Sequence, residues 1–524
     1  MSDPGALLRQ ALALHQQGRL EQAHALYRQV LDLAPRQFDA LHLSGVIERQ
    51  RGDPARAVDL IREALRVDPG QARAHCNLGA ALQDLGQAEA ALDSYETSLR
   101  LDPRYALAWN NRGNTLRRLG RLPDALDSYE RALACHANYP EAWCHRAIVL
   151  NDLGRHADAA ASAEQALAAR RGYADALQAL GNALQSLGRF SEAVAAYDRA
   201  LAGATPERQT EDQTKRHAEI WCARGAALKK SGELAAALDS YEQALRRQPD
   251  YAMAEHYRAN ALRALGRRDE AVAAYRSARE LGADPAGIGF ALAALGEAET
   301  PASAPADYVK GLFDQYAGHF DQHLLGVLDY RTPDLLAGLL QAHPAAQATS
   351  ATSALDLGCG TGLCAPMLRP MARRLAGVDL SEKMLDKARA TGLYDELACA
   401  DILAWLEGQH GEWDLVMAAD VLVYFGELAP LFERVACALR AGGRFALSVE
   451  ALSVDAPASG GVTACGAGYA ITASNRYAHA PDYLRACAAR AGLQVLEERG
   501  AVLRKEHGAD VAGMLFLLSR PSGP

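Results

Sequence analysis

Two different rhythms of apolar and polar positions divide the chain. Up to about residue 285, small and aromatic residues return at one interval. Alanine stands at Ala23, Ala57, Ala91, Ala125, Ala159 and Ala193, always 34 apart, and again at Ala237 and Ala271 after one longer step of 44. Tyr27, Tyr95, Tyr129, Tyr197, Tyr241 and Tyr275 keep the same register, as do Gly18, Gly52, Gly86, Gly120, Gly154, Gly188, Gly232 and Gly266. A fixed period of this length predicts stacked helical hairpins. The alanine marks where two helices cross too closely for a larger side chain, and Pro35, Pro69, Pro103 and Pro249 close hairpins because proline cannot continue a helix. The pattern gives eight copies from about Pro4 to Pro285. The longer step places extra residues near Thr205 to Thr214, expected to bulge from a loop of the sixth copy. Ile288 to Leu295 reads as a capping apolar helix for the last exposed face, and residues 298–306, rich in Pro, Ala and Ser, read as a linker.

From residue 307 the rhythm changes. Tyr308, Val309, Leu312, Phe313, Tyr316, Phe320 and Leu324 recur at helical spacing, so residues 307–342 read as lead-in helices. Short buried runs then alternate with helical stretches over 353–519: Ser353–Leu355, Leu375–Val378, Glu396–Cys399, Trp413–Met417, Arg444–Val449, Leu493–Glu498 and Met514–Ser519. That alternation predicts a seven-stranded, Rossmann-like α/β domain behind an all-α superhelix. Asp455 to Gly468, composed of small residues, reads as a mobile excursion.

A length of 524 residues is too great for one core, and the net charge of -9 argues against a general nucleic-acid or acidic-membrane partner. The first residues lack the form of a secretory signal, and no apolar run reaches the length of a membrane span. Ten cysteines follow no zinc or iron–sulfur spacing, so no metal is expected, and reduced thiols in a cytoplasm are the simplest account.

The chemistry concentrates at Asp356, Leu357, Gly358, Cys359, Gly360, Thr361 and Gly362, where an apolar strand end meets three glycines on a turn into a helix. Backbone must approach a ligand there, which a residue without Cβ permits. A dinucleotide fingerprint would need glycine at Leu363, so the spacing points away from NAD. A second strand ends in Asp379, next to Leu380, where an acid can take both ribose hydroxyls. A third is followed by Asp401 and Ile402, a carboxylate and a backbone amide able to read an adenine edge. A fourth ends at Asp420.

This ordered set resembles the class I S-adenosylmethionine-dependent methyltransferases from about Tyr308 to Ser519. The resemblance implies S-adenosylmethionine as cofactor, a last strand pair forming an antiparallel edge, and a segment closing over the cofactor, Phe313-Asp314-x-Tyr316-Ala317-x-x-Phe320-Asp321, in which Tyr316 and Phe320 are lid candidates. The repeats resemble the tetratricopeptide repeat, with Trp109, Trp143 and Trp221 at its early aromatic position and Gly79, Gly113, Gly181 and Gly225 at its helix-contact position. Such arrays form a groove. Asn77, Asn111, Asn114, Asn182 and Asn260 are its candidates for clamping an extended peptide backbone, although they do not form a regular ladder.

Transfer of an activated methyl asks mainly for positioning. A general base is needed only for a protonated acceptor, and Tyr424, His479 and Glu450 stand near strand tips. The string Ser474-Asn475-Arg476-Tyr477-Ala478-His479 resembles a segment of methyltransferases that also carry tetratricopeptide repeats. The expected function is a methyltransferase whose repeats recruit a protein or peptide. Two alternatives stay open: a non-catalytic cofactor-binding scaffold, and a small-molecule enzyme whose repeats only mediate assembly. Oligomeric state and acceptor atom are not specified by these residues.

Overall fold

In the computed structural model, residues 3–202, 210–318, 320–326, 328–343, 352–452, 468–472, 474–506 and 509–522 are described. The chain divides into two compact units, Met1–Tyr257 and Arg258–Pro524.

The N-terminal unit is the helical array the 34-residue period predicts. Each hairpin pairs a first helix such as Ala106–Arg118 with a second such as Leu122–Cys135. The turn between them depends on glycine. Gly120 has φ +73°, and the amides of Gly120 and Arg121 bond back to the Arg117 and Leu116 carbonyls, closing the helix end with a left-handed residue. The recurring alanines and tyrosines are buried almost without exposure. Gly113 answers to Tyr129: a Cβ there would sit 2.6 Å from the ring, and the same holds for Gly79, Gly181 and Gly225 against Tyr95, Tyr197 and Tyr241. The longer step behaves differently from the expected loop bulge. Residues 203–209 lie outside the described ones, and the rest begins a longer first helix, Glu211–Lys230, with a capping box from Thr210 and Gln213. A helix of 20 residues replaces the usual 13.

The C-terminal unit carries one mixed sheet. Its strands are β1 (Ser353–Leu357), β2 (Arg374–Asp379), β3 (Glu396–Cys399), β4 (Trp413–Ala418), β5 (Leu439–Ala451), β6 (Tyr469–Ile471), β7 (Tyr477–His479), β8 (Gln494–Glu506) and β9 (Ala509–Ser519). β3, β2, β1, β4 and β5 run parallel in that order, and β9 and then β8 continue antiparallel as the expected edge. Among the described residues the seven expected strands are joined by two more, β6 and β7. The hairpin β6–β7 attaches to the end of β5, with Glu450 level with Ala478. Three-residue strands around a polar turn are too short to show a period. The excursion at Asp455 to Gly468 falls almost wholly outside the described residues.

Register decides where chemistry can occur. Leu357 pairs with Val378, Asp379 with Cys399 and Ala418 with Leu447, so β1, β2, β3 and β4 end at one edge of the sheet. In an open parallel sheet, ligands bind outside that edge.

The segments read as cap and linker are built into this unit. Helix Pro285–Ala294 buries everything from Gly287 on except the half-buried Gly289, and Phe290 shares a core with Val309, Tyr424 and Tyr477. In the stretch 298–306, Ala304 donates to the Tyr424 carbonyl (2.8 Å), the Ala302 carbonyl accepts from Gly426 and Glu427, and the Pro301 carbonyl accepts from Tyr477 Oη (2.7 Å). It is a bonded strap. Its small residues allow backbone to pack directly on backbone. Among the described residues, no helix is long and apolar enough to cross a membrane.

Candidate functional site

The strand ends open into a cavity of about 720 Å3 whose wall includes Asp356, Gly358, Cys359, Gly360, Asp379, Leu380, Asp401, Ile402 and Asp420. Nine of the ten residues singled out around a nucleoside therefore share one space. The tenth, Gly362, is not part of that wall; it has φ +91°, and a Cβ there would lie 3.1 Å from Tyr394.

The glycine turn is shaped by contacts on both sides. Gly358 has φ +67°, and a Cβ there would lie 2.4 Å from Val421, so only glycine fits between β1 and the turn after β4. Gly360, φ +54°, has only Met384 and Phe320 near its Cβ position, each at 3.9 Å, so a small group can approach its backbone from the cavity. The amides of Gly358 and Cys359 both donate to the Val378 carbonyl. The Asp379 carboxylate accepts from Gly360 N–H and Ser381 N–H, both at 2.9 Å, which ties the end of β2 to the loop. Burial raises its pKa, with those bonds opposing. Asp356 is buried at the tip of β1 and accepts from Tyr394 Oη at 2.7 Å. Burial pushes its carboxyl up to about 7. Asp401 caps helix Ile402–Leu406 through the Ala404 amide.

The proposed lid segment also lines the cavity. Tyr316 is exposed and Phe320 packs edge-on against Phe313, which in turn meets Tyr424. Two acids of the motif, given no role from sequence, hold the segment down. Asp314 accepts from Ser381 Oγ and Asp321 from Thr361 Oγ1, each at 2.5 Å.

The three base candidates part company. Tyr424 lines the cavity, but burial pushes its phenol up to about 12. Glu450 is buried, held by the Arg504 guanidinium and by Arg476 at 3.5 Å. His479 is fully buried away from the cavity wall. Its Nε2 donates to the Phe425 carbonyl (2.8 Å), and burial lowers its pKa to about 4, so this base candidate is a core residue.

Sequence reading missed the buried ion cluster around Arg504. This guanidinium, with no exposed side-chain area, meets Asp420 (3.0 Å), Glu450 and Glu506 (3.5 Å), and Arg476 reaches Glu506 at 3.4 Å. Asp420, Arg476 and Glu506 all line the cavity. Asp420 is itself left-handed, φ +55°, an uncommon conformation that aspartate tolerates better than most side chains. The strap residues Ser303 to Ala306 complete the wall. Asp420, Glu450 and the string around Arg476 stand in segments the sequence singles out, whereas no sequence signal points to Arg504 or Glu506.

The array's asparagines are engaged within it. The Oδ1 atoms of Asn114, Asn182 and Asn260 accept from Tyr129, Tyr197 and Tyr275 of the same hairpins at 2.8, 2.7 and 2.6 Å. Asn77 Nδ2 meets His42 Nε2 at 2.9 Å, and Asn111 Nδ2 contacts Cys76 Sγ. Their hydrogen-bonding capacity is thus partly spent on fixing the buried tyrosines and neighbouring helices.

Comparison with known proteins agrees with this division. The family described as "Methyltransferase domain" matches residues 354–443. "Tetratricopeptide repeat" matches residues 8–72, 76–141, 146–208 and 218–251. Methyltransferase-like protein 27 of Homo sapiens is 38% identical over 113 residues, which are 21% of this chain and 45% of that protein. Trans-aconitate 2-methyltransferase of Paracidovorax citrulli (strain AAC00-1) is 34% identical over 103 residues, 19% of this chain and 40% of that protein. The chain thus spans under half the length of these curated relatives. A solved tetratricopeptide repeat protein from Parabacteroides merdae ATCC 43184 is 18% identical, with a TM-score of 0.38 over 48% of this chain and 95% of that one. The chain joins an array of tetratricopeptide repeats to a methyltransferase domain.

Proposed function

We propose that the protein is an S-adenosylmethionine-dependent methyltransferase and that its repeats bind the protein or peptide it acts on or with. One observation carries the cofactor: the open side of Gly360, Asp379 at the end of β2 and Asp401 after β3 line the same cavity, in the order and at the strand ends a nucleoside requires. The donor set fits. Asp379 would hold the ribose hydroxyls, Asp401 and the Ile402 amide the adenine edge, and Asp356 and Asp420 supply negative charge for a cationic ligand. When bound, the cofactor supplies an activated methyl group. The chain's own task is then to orient an acceptor and exclude water, which the aromatic wall of Tyr308, Phe313, Phe320 and Tyr424 favours.

Isothermal titration of the full chain with S-adenosylmethionine tests this. Asp379→Ala should weaken binding by roughly 1.5 to 3 kcal/mol, the worth of charge-assisted bonds. No binding by the folded wild-type chain sinks the cofactor reading, and unchanged affinity removes Asp379 from the ribose. For the repeats, the helical hairpins and their groove support a peptide ligand. Comparison of S-adenosylhomocysteine release in cell extract by the full chain and by a chain beginning at residue 252 tests recruitment. Equal turnover would favour a small-molecule acceptor such as the one the second relative's name states.

A further inference from the structure

The last repeat reaches the cavity through one chain of contacts. Arg263 lies in the final turn of helix Ala252–Ala264, the first helix of the eighth hairpin, and belongs to the C-terminal unit. Its Nη1 donates to Asn475 Oδ1 at 2.6 Å, bridging 212 residues of sequence. Asn475 is buried, has φ +59°, and sits in the turn joining β6 to β7. Its N–H donates to the Thr472 carbonyl (3.0 Å), and Thr472 N–H donates to the Arg476 carbonyl (2.8 Å). Its Nδ2 donates to Tyr308 Oη at 3.4 Å. The next residue, Arg476, enters the cavity wall between Glu450 and Glu506, and Ser474 and Tyr308 line the same wall.

Asparagine takes the left-handed conformation more readily than most side chains, yet still needs bonds to its own side chain and backbone to hold one geometry. Here the side-chain bonds to Arg263 and Tyr308 do so. If Asn475 relaxed to a right-handed or extended backbone, the direction of the following residue would change with it, and Arg476 would leave its place between the two glutamates. The bond from Arg263 is charge-assisted, part-buried and shorter, so it is the stronger of the two.

We propose that Arg263 is a positioning residue of the methyltransferase: through Asn475 it holds Arg476 on the cavity wall, so that the transfer site is complete only with the last repeat in place. This rests on the methyltransferase reading above. It also places the working boundary of the enzyme inside the array, ahead of helix Ala252–Ala264, and not at the strap.

The test uses the full-length protein and the variants Arg263→Ala, Arg263→Lys, Asn475→Ala and the Arg263→Ala, Asn475→Ala pair. S-adenosylhomocysteine release is measured with cell extract as the acceptor source, cofactor affinity by calorimetry, and amide exchange over residues 468–480 by mass spectrometry. Arg263→Ala should lower turnover roughly tenfold with cofactor affinity essentially unchanged. Arg263→Lys, which keeps a donor, should restore part of the loss, and the pair should be no worse than either single change. The amides of Thr472 and Asn475 should exchange faster in Arg263→Ala and stay protected in the wild type. Unchanged turnover with unchanged exchange overturns the proposal, as does a loss that tracks cofactor affinity or the folded fraction, or one that multiplies in the pair. A wild type that binds no cofactor refutes the methyltransferase reading instead, and exchange in the turn still decides whether Arg263 positions it.

Discussion

Asp356 makes cofactor binding sensitive to pH near neutrality, with a sign and size that follow from its burial. Its carboxyl is raised to about 7 because the tip of β1 is shut from water, against the lowering effect of the Tyr394 hydroxyl. Since the folded value lies above the unfolded one, the ligand-free protein holds an extra proton between about pH 4 and pH 7. It therefore loses stability as pH rises through that window, by about 4 kcal/mol when complete, at 1.36 kcal/mol per unit. A cationic ligand in the same cavity reverses the preference by favouring the carboxylate. Binding should then release a proton below pH 7. With the group about three-quarters ionised at pH 7.5 and about 3% ionised at pH 5.5, affinity should fall about 25-fold between the two. Asp379, raised in the same direction, adds to the fall at the acid end. The assay is calorimetric titration with S-adenosylmethionine across that range in buffers of different ionisation enthalpy, which counts released protons directly. Asp356→Asn should bind more weakly at pH 7.5 and show a much flatter profile. A wild-type affinity independent of pH, or an equal slope in Asp356→Asn, would refute the reasoning.

Other substitutions separate stability from binding. Gly358→Ala should destabilise by roughly 2 to 4 kcal/mol in urea unfolding, because a left-handed backbone and a 2.4 Å approach to Val421 act together. Gly360→Ala, whose added Cβ meets only Met384 and Phe320 at 3.9 Å, should lose only about 1 to 2 kcal/mol of stability yet lose cofactor affinity, and the reverse order would misplace the ligand. Arg504→Met leaves Asp420, Glu450 and Glu506 facing one another without their shared cation. It should cost about 3 to 5 kcal/mol at pH 7 and less in acid, where those groups can protonate. Gly113→Ala adds about 1 kcal/mol of helix propensity but drives a methyl into the Tyr129 ring, which Asn114 holds in place. A net loss of about 1 to 2 kcal/mol in circular-dichroism melts is expected, relieved by pairing it with Tyr129→Leu.

Much of the site was legible because its parts are local. Gly358, Asp379 and Asp401 each stand at the end of an apolar run, and a strand end announces itself within a few residues. The parallel register then brings those ends together. The rest depends on distant partners. His479 reads as a base candidate near a strand tip, yet the short hairpin β6–β7 folds it onto the Phe425 and Gly426 carbonyls, away from the cavity. Residues 298–306 looked like a linker because Pro, Ala and Ser carry little pattern, and the backbone bonds that make them a wall are invisible in side-chain chemistry.

The sequence by itself determined the repeat array and the strand-and-turn frame of the second half. A 34-residue period and a glycine at each helix end encode contacts between near neighbours, and an apolar run ending in an acid encodes a strand tip. Tertiary structure alone decided which polar groups face the cavity. Arg504 meets Glu450 across 54 residues and Asp420 across 84, and Arg263 meets Asn475 across 212. Such pairs leave no periodic trace, because each is selected by the burial of a charge that must find its partner wherever the fold brings one.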